Sequence, residues 1–143
     1  MGIIFLEEKI RGYKVRTIKN ASADATIAIA TDFNSVIDQL NLVKAKSLNI
    51  VGNGIFSIHP IYNQNQIDNY VYELLLKVLT SDKLINKIEV IRTGGQTDVD
   101  EAGAKAGIKL NIPTIILAPL CWKYRDIDGK DISNENLFKG RFL

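Results

Sequence analysis

The sequence predicts an α/β protein with a Rossmann-like open, mainly parallel sheet and helices on both faces. Short, uninterrupted apolar runs recur along the chain, as in strands that are buried on both sides. They alternate with segments whose apolar residues follow helical spacing. A chain of 143 residues has the length of one domain, and we assign residues 1–143 to it.

The apolar runs predict strands over residues 3–6, 26–30, 47–51, 88–91 and 114–118. Helical spacing predicts helices over residues 35–44, 66–79 and 98–110. The clearest pattern is in the second helix, whose apolar positions fall on one stripe: Ile67, Tyr70, Val71, Leu74, Leu75, Val78 and Leu79. After Pro119 we predict a loop, and then a short helix that begins near Ser133.

Composition excludes several classes of function. The 18 basic and 16 acidic residues give a net charge of +2, which does not favour a DNA-coating protein. A basic segment from Arg11 to Lys19 could contact nucleic acid, but the balanced charge argues against it. One Cys and one His exclude an internal disulfide, a thiolate metal cluster and a multi-histidine metal site. We therefore expect no metal site.

The beginning of the chain, Met1 to Leu6, lacks the features of a signal peptide. No apolar run approaches the length that a membrane-spanning helix needs. We therefore expect a cytoplasmic protein that does not enter a membrane.

Ligands of open α/β sheets bind beyond the carboxyl ends of the strands. Four loops follow the predicted strands there, and two of them are rich in glycine, which lets a backbone approach a ligand closely. The start of a following helix suits phosphate. The candidate ligand-binding residues in these loops are Asp32, Gly52, Asn53, Gly54, Gly94, Gly95, Gln96, Thr97, Trp122 and Lys123.

Each candidate also has a purely structural interpretation. Trp122 could stack on a base or close the edge of the core. Lys123 could neutralise a phosphate or lie on a solvated surface. Thr97 is predicted to be the N-cap of the third helix, with Asp100 completing a capping box. The turn could therefore be no more than a well-capped connection.

Acidic residues complicate a phosphate site at this helix. Asp98, Asp100 and Glu101 all fall in its first turn and would repel an incoming anion. Either cations from elsewhere hold the phosphate, or this end of the helix binds a sugar or an amine. Asp100 is the candidate for accepting hydrogen bonds from ribose hydroxyls, unless it serves only as the capping acid.

One stretch resembles a known family. It comprises Arg92-Thr93-Gly94-Gly95-Gln96-Thr97-Asp98-Val99-Asp100-Glu101-Ala102, followed by Leu110-Asn111-Ile112-Pro113-Thr114 and Pro119. This stretch is similar to the opening of the molybdenum-cofactor carrier family, which belongs to the SLOG superfamily with the LOG proteins and DNA-processing protein A. Residues 16–30 resemble the second half of that family, so the chain resembles a circularly permuted and shortened version.

The resemblance implies a Rossmann-like domain that binds a nucleotide or a nucleotide-derived ligand. It implies roles for Gly94, Gly95, Gln96, Thr97 and Asp100, with contributions from Arg16, Asn20 and Asp24.

Three departures from the family pattern matter. Asp98 stands where the family has glycine, a glycine-containing loop after residue 30 is missing, and the signature of the LOG hydrolases is absent.

These observations predict a binding or sequestering module for a small nucleotide derivative, with no certain cofactor. We expect a homo-oligomer. Two alternatives remain open: an N-glycosidase of nucleoside phosphates, in which Asp100 or Asp32 orients water or ribose, and an accessory protein of nucleic-acid processing. His59 and Cys121 do not form a convincing nucleophile and base.

Overall fold

The computed structural model describes residues 2–11, 19–20, 22–28, 33–52 and 61–143. In chain order the elements are β1 (Ile3–Glu7), β2 (Ala25–Ala28), α1 (Phe33–Leu42), β3 (Ser47–Val51), α2 (Gln64–Leu79), β4 (Val90–Thr93), α3 (Val99–Lys109), β5 (Thr114–Ala118), a 3-10 turn (Leu120–Trp122), β6 (Lys123–Arg125), β7 (Asp131–Ser133) and α4 (Glu135–Gly140). The predicted strands and helices agree with these to within a few residues, and residues 29 and 30 lie outside the described part.

The described strands β1 to β5 form one parallel sheet in the order β1-β5-β4-β3-β2. This sheet and its helices confirm the predicted Rossmann-like α/β class. From β2 to β5 each strand lies beside the previous one, so right-handed crossovers place α1, α2 and α3 on the same face. The connection that would carry a helix on the other face includes residues 12–18, which lie outside the described residues.

The alternation of side chains along the strands assigns the residues of the sheet to two faces. On the first face, Leu48, Ile50, Ile91, Thr93 and Ile116 are fully buried. There α3 packs tightly, because a Cβ on Gly103 would lie 2.7 Å from Cγ2 of Ile50, and one on Gly107 would lie 2.5 Å from Oγ1 of Thr114. We call the opposite side, to which Ile4, Leu6, Asn49, Val90, Arg92, Ile115 and Leu117 point by alternation, the second face.

The helix α2 is anchored by its predicted stripe. Ile67, Val71, Leu75 and Val78 are buried, whereas Tyr70 is exposed. Tyr70 was wrongly predicted as core, because it lies at the edge of the stripe. Asn63 caps the helix, and its side chain accepts a hydrogen bond from the backbone N–H of Gln66 at 2.9 Å.

A compact aromatic cluster covers the β1–β5 end of the first face. Phe138 of α4 is fully buried and packs edge-on against Trp122 and Tyr124, with Phe142 beside it. The hairpin of β6 and β7, predicted as a loop, supplies Tyr124. Among the described residues, none of the helices combines the length and apolarity that crossing a bilayer requires.

Candidate functional site

The parallel sheet brings three of the four predicted loops to one edge. Gly52 directly follows β3, the Gly94–Thr97 turn follows β4, and Pro119 follows β5. β3, β4 and β5 are neighbours, so these loops lie side by side at the carboxyl ends. Arg16, Asp32, Asn53 and Gly54 lie outside the described residues.

Gly95 occupies a position that only glycine fits. Its φ is +70°, and a Cβ would lie 2.6 Å from Cγ2 of Ile116 and 2.7 Å from Cζ of Phe138. The residue is buried under the aromatic cluster. Packing therefore already accounts for this glycine, which sequence reasoning assigned to the approach of a ligand.

Arg141 fastens the same turn from the C-terminal side. Its guanidinium donates to the carbonyl oxygen of Gly95 at 2.7 Å and to Oε2 of Glu101 at 3.0 Å. It also stacks on the ring of Tyr124, with 3.9 Å from Cζ to the centroid. Burial lowers the pKa of Arg141. Lys105 pairs with the other oxygen of Glu101 at 2.8 Å, so this predicted source of repulsion is neutralised.

The side chains of Gln96 and Thr97 hold β6. Nε2 of Gln96 donates to the carbonyl oxygen of Lys123 at 3.2 Å, and the hydroxyl of Thr97 donates to that of Arg125. The prediction that Thr97 is the N-cap was wrong. The helix α3 begins at Val99 with Asp98 as N-cap, because the Thr97 hydroxyl is engaged by the hairpin.

At the start of α3, the side chain of Gln64 hydrogen-bonds to the backbone of Asp98. Asp98 is only 2% exposed and has φ +83° and ψ −119°. Oε1 of Gln64 accepts from the backbone N–H of Asp98 at 2.8 Å, and Nε2 of Gln64 donates to the carbonyl oxygen of Asp98 at 2.9 Å. A phosphate could take the Asp98 N–H only by displacing Gln64.

Asp100, the candidate for ribose, is half-buried in the first turn of α3. Its carbonyl oxygen accepts from the hydroxyl of Thr93 at 2.9 Å. Gly52 is exposed, and a Cβ there would lie 2.4 Å from Cγ2 of Val99. The end of β3 therefore abuts the start of α3, which puts Gly52 close to the Gly94–Thr97 turn.

The loop after β5 is held by packing and ion pairs. Trp122 is half-buried, and the ammonium of Lys139 lies 4.8 Å from its ring centroid. Lys123 is exposed and pairs with Asp131 at 3.0 Å. The side chains proposed for base stacking and for phosphate thus have protein partners. Cys121 is exposed, and its N–H donates to Oε1 of Glu7 at 2.8 Å.

Two residues of the stretch that resembles the second half of the family, Asn20 and Asp24, lie within the described part of the chain. Asp24 accepts from the backbone N–H groups of Lys46 and Ser47, both at 2.9 Å, which lowers its pKa. It therefore fastens the amino end of β3, at the edge of the sheet opposite the predicted site. Asn20 is buried, and its Oδ1 has no hydrogen-bond partner among the described residues.

Two polar residues that sequence reasoning missed lie on the second face. Asn49 of β3 is 2% exposed, and Arg92 of β4 is half-buried. The two are register partners across neighbouring strands. Within the part of the chain that the structure describes, Oδ1 of Asn49 and Nε of Arg92 are buried without a hydrogen-bond partner. An asparagine inside an apolar strand was the signal that could have identified this pair.

Among the residues that the structure describes, no three His, Cys, Asp or Glu side chains come together as metal ligands would. Comparison with protein-family models, with curated protein sequences and with solved structures finds no match to this chain. The resemblance to the molybdenum-cofactor carriers therefore rests on the quoted motifs and stays a prediction.

Proposed function

We propose that the chain binds a small nucleotide derivative at the carboxyl ends of β3 and β4 and acts as a binding or sequestering module. The observation that carries the proposal is a pair of buried polar atoms without a hydrogen-bond partner among the described residues. One is on Asn49, in the middle of β3, and the other is on Arg92, one residue before the end of β4. Buried polar groups in native proteins are nearly always hydrogen-bonded. Buried polar atoms without partners, in strands whose carboxyl ends are where α/β folds bind their ligands, point to a ligand that supplies the missing partners.

The exposure of Gly52 supports the same location. Its neighbour, the Gly94–Thr97 turn, forms the fixed wall of the proposed site, because Arg141 and β6 fasten it. A rigid wall suits a binding module, since little ordering is left to oppose binding.

The test is a titration of ¹⁵N-labelled protein with AMP, followed by amide chemical shifts. We expect saturable shifts at Gly52, Arg92 and Gly94. Shifts confined to the amino edge of the sheet, near Asp24, would place the site elsewhere, and the absence of any saturable shift would overturn the proposal.

The same sample distinguishes a binding module from an N-glycosidase. Free adenine and ribose 5-phosphate resolve from AMP in the proton spectrum. We expect AMP to stay intact over many hours, and a catalytic release of adenine would replace the binding module by the enzyme.

We also propose that the protein is a cytoplasmic homo-oligomer. Ile67, Val71, Leu75 and Val78 of the α2 stripe are buried within the chain, so these four residues do not form the proposed oligomer interface. Light scattering coupled to size-exclusion chromatography tests the proposal, and a monomeric mass at all concentrations would overturn it.

A further inference from the structure

Arg92 differs from two buried acidic residues near this edge of the sheet, Glu8 and Glu101, in its ion pairing. Glu8 pairs with Lys19 at 2.6 Å, and Glu101 pairs with Lys105 and Arg141. Among the described residues, no ion pair joins Arg92 to a carboxylate. A guanidinium that is partly removed from water gains most from an anionic partner.

Among the described residues, the register partners of Arg92 provide no anion. Its register partners are Asn49 on β3 and Ile115 on β5, which are neutral. One of the two N–H groups of the Asn49 amide donates to the hydroxyl of Thr26 at 3.3 Å. The amide oxygen of Asn49 can only accept a hydrogen bond. The pair therefore offers a donor with positive charge beside a neutral acceptor.

The start of α3, the alternative place for an anion, is already partly occupied. The N–H of Asp98 is bonded to Gln64, and Asp98 itself carries a carboxylate into the start of α3. A cation on another element can hold a phosphate at this edge without displacing Gln64.

We infer that Arg92 and Asn49 on the second face form the anion subsite of the ligand, with Arg92 binding a phosphate and Asn49 accepting a hydrogen bond from a neighbouring hydroxyl. A sugar phosphate presents these two groups together. The inference rests on the proposed function and adds that the phosphorylated form is selected, with the phosphate held by a strand side chain rather than by the start of α3.

The test compares AMP with adenosine by isothermal titration calorimetry at low salt. Wild type should bind AMP at least about tenfold more tightly than adenosine, because the hydrogen bonds to the guanidinium are charge-assisted. The Arg92→Gln variant should lose that preference and keep its affinity for adenosine. Lys87→Gln is the matched control, because it removes one positive charge from an exposed position before the amino end of β4.

A second variant separates binding from folding. In the Asn49→Leu variant, an apolar side chain of similar size takes the place of the amide, whose oxygen is buried without a hydrogen-bond partner among the described residues. We therefore expect equal or higher resistance to urea. The same variant should bind AMP more weakly. Opposite effects on stability and binding are not expected of a merely structural asparagine.

The outcomes distinguish the two proposals. If wild type binds neither AMP nor adenosine, the proposed function fails. If wild type binds AMP but Arg92→Gln binds it equally well, the anion subsite is wrong and the proposed function stands. Equal affinity of wild type for AMP and adenosine would also overturn the subsite.

Discussion

Asp98 holds a backbone conformation that normally belongs to glycine. Its φ of +83° and ψ of −119° match the first central position of a type II′ turn, which glycine dominates. A side chain with a Cβ in such a region costs about 1–3 kcal/mol.

The perturbation that isolates this cost is a comparison of Asp98→Ala with Asp98→Gly. Both variants lack the carboxylate, so its interactions cancel and the two differ only by a Cβ. At an ordinary position alanine is more stable than glycine by about 0.4–1 kcal/mol, through the entropy of the unfolded chain. Here the relief of strain exceeds that term, and Asp98→Gly should be more stable by about 0.5–2 kcal/mol.

The assay is urea denaturation followed by circular dichroism, with the slopes checked for equality. Near Tm the expected difference corresponds to about 2–6 °C for a chain of this size. The control is Glu73→Ala against Glu73→Gly at an exposed position of α2, where alanine should be more stable by about 1 kcal/mol. If alanine is also the more stable residue at position 98, the strain argument is refuted.

The other predictions concern packing and the hairpin. Leu75→Ala should cost about 2–5 kcal/mol in urea denaturation, because Leu75 is fully buried; a cost below about 0.5 kcal/mol would mean that the stripe is not core. Gly95→Ala should lower Tm through both its φ of +70° and the contact with Phe138, and an unchanged Tm would contradict this packing. The hydrogen bond from Arg125 and the pairing with Lys123 hold the pKa of Asp131 at about 2, below the usual 3.8. The ion pair should therefore be complete above pH 3.8 and be lost as the pH falls through about 2, which carboxyl NMR shifts measure; Arg125→Gln should raise the midpoint, and an unchanged midpoint would exclude the pairing in solution.

The fold could be predicted because local sequence patterns indicate most of its strands and helices. The apolar runs of β3 and β5 and the stripe of α2 need no knowledge of distant residues. The hairpin of β6 and β7 was missed although Asp128-Gly129 is a turn signal between alternating residues. Its strands have three residues each, which is too short for a clear pattern.

The site was harder to predict, because its arrangement depends on contacts across long separations in sequence. Arg141 lies 46 residues from Gly95, to which it donates, and Gln64 lies 34 residues from Asp98. Sequence reasoning identified the Gly94–Thr97 turn but could not see that these partners already occupy its polar groups. It could not see either that Arg92 lacks a carboxylate partner, because that depends on which charges the fold brings near.

The central claim is that the chain binds a phosphorylated nucleotide derivative through Arg92. Identification of a co-purified ligand tests this claim most directly. Protein purified at low salt is denatured, and the released small molecules are analysed by mass spectrometry for wild type and for Arg92→Gln. The account predicts a stoichiometric sugar phosphate of the nucleotide type from wild type, and much less of it from Arg92→Gln. A stoichiometric ligand without an anionic group, or equal amounts of the same phosphate from both proteins, would contradict the account.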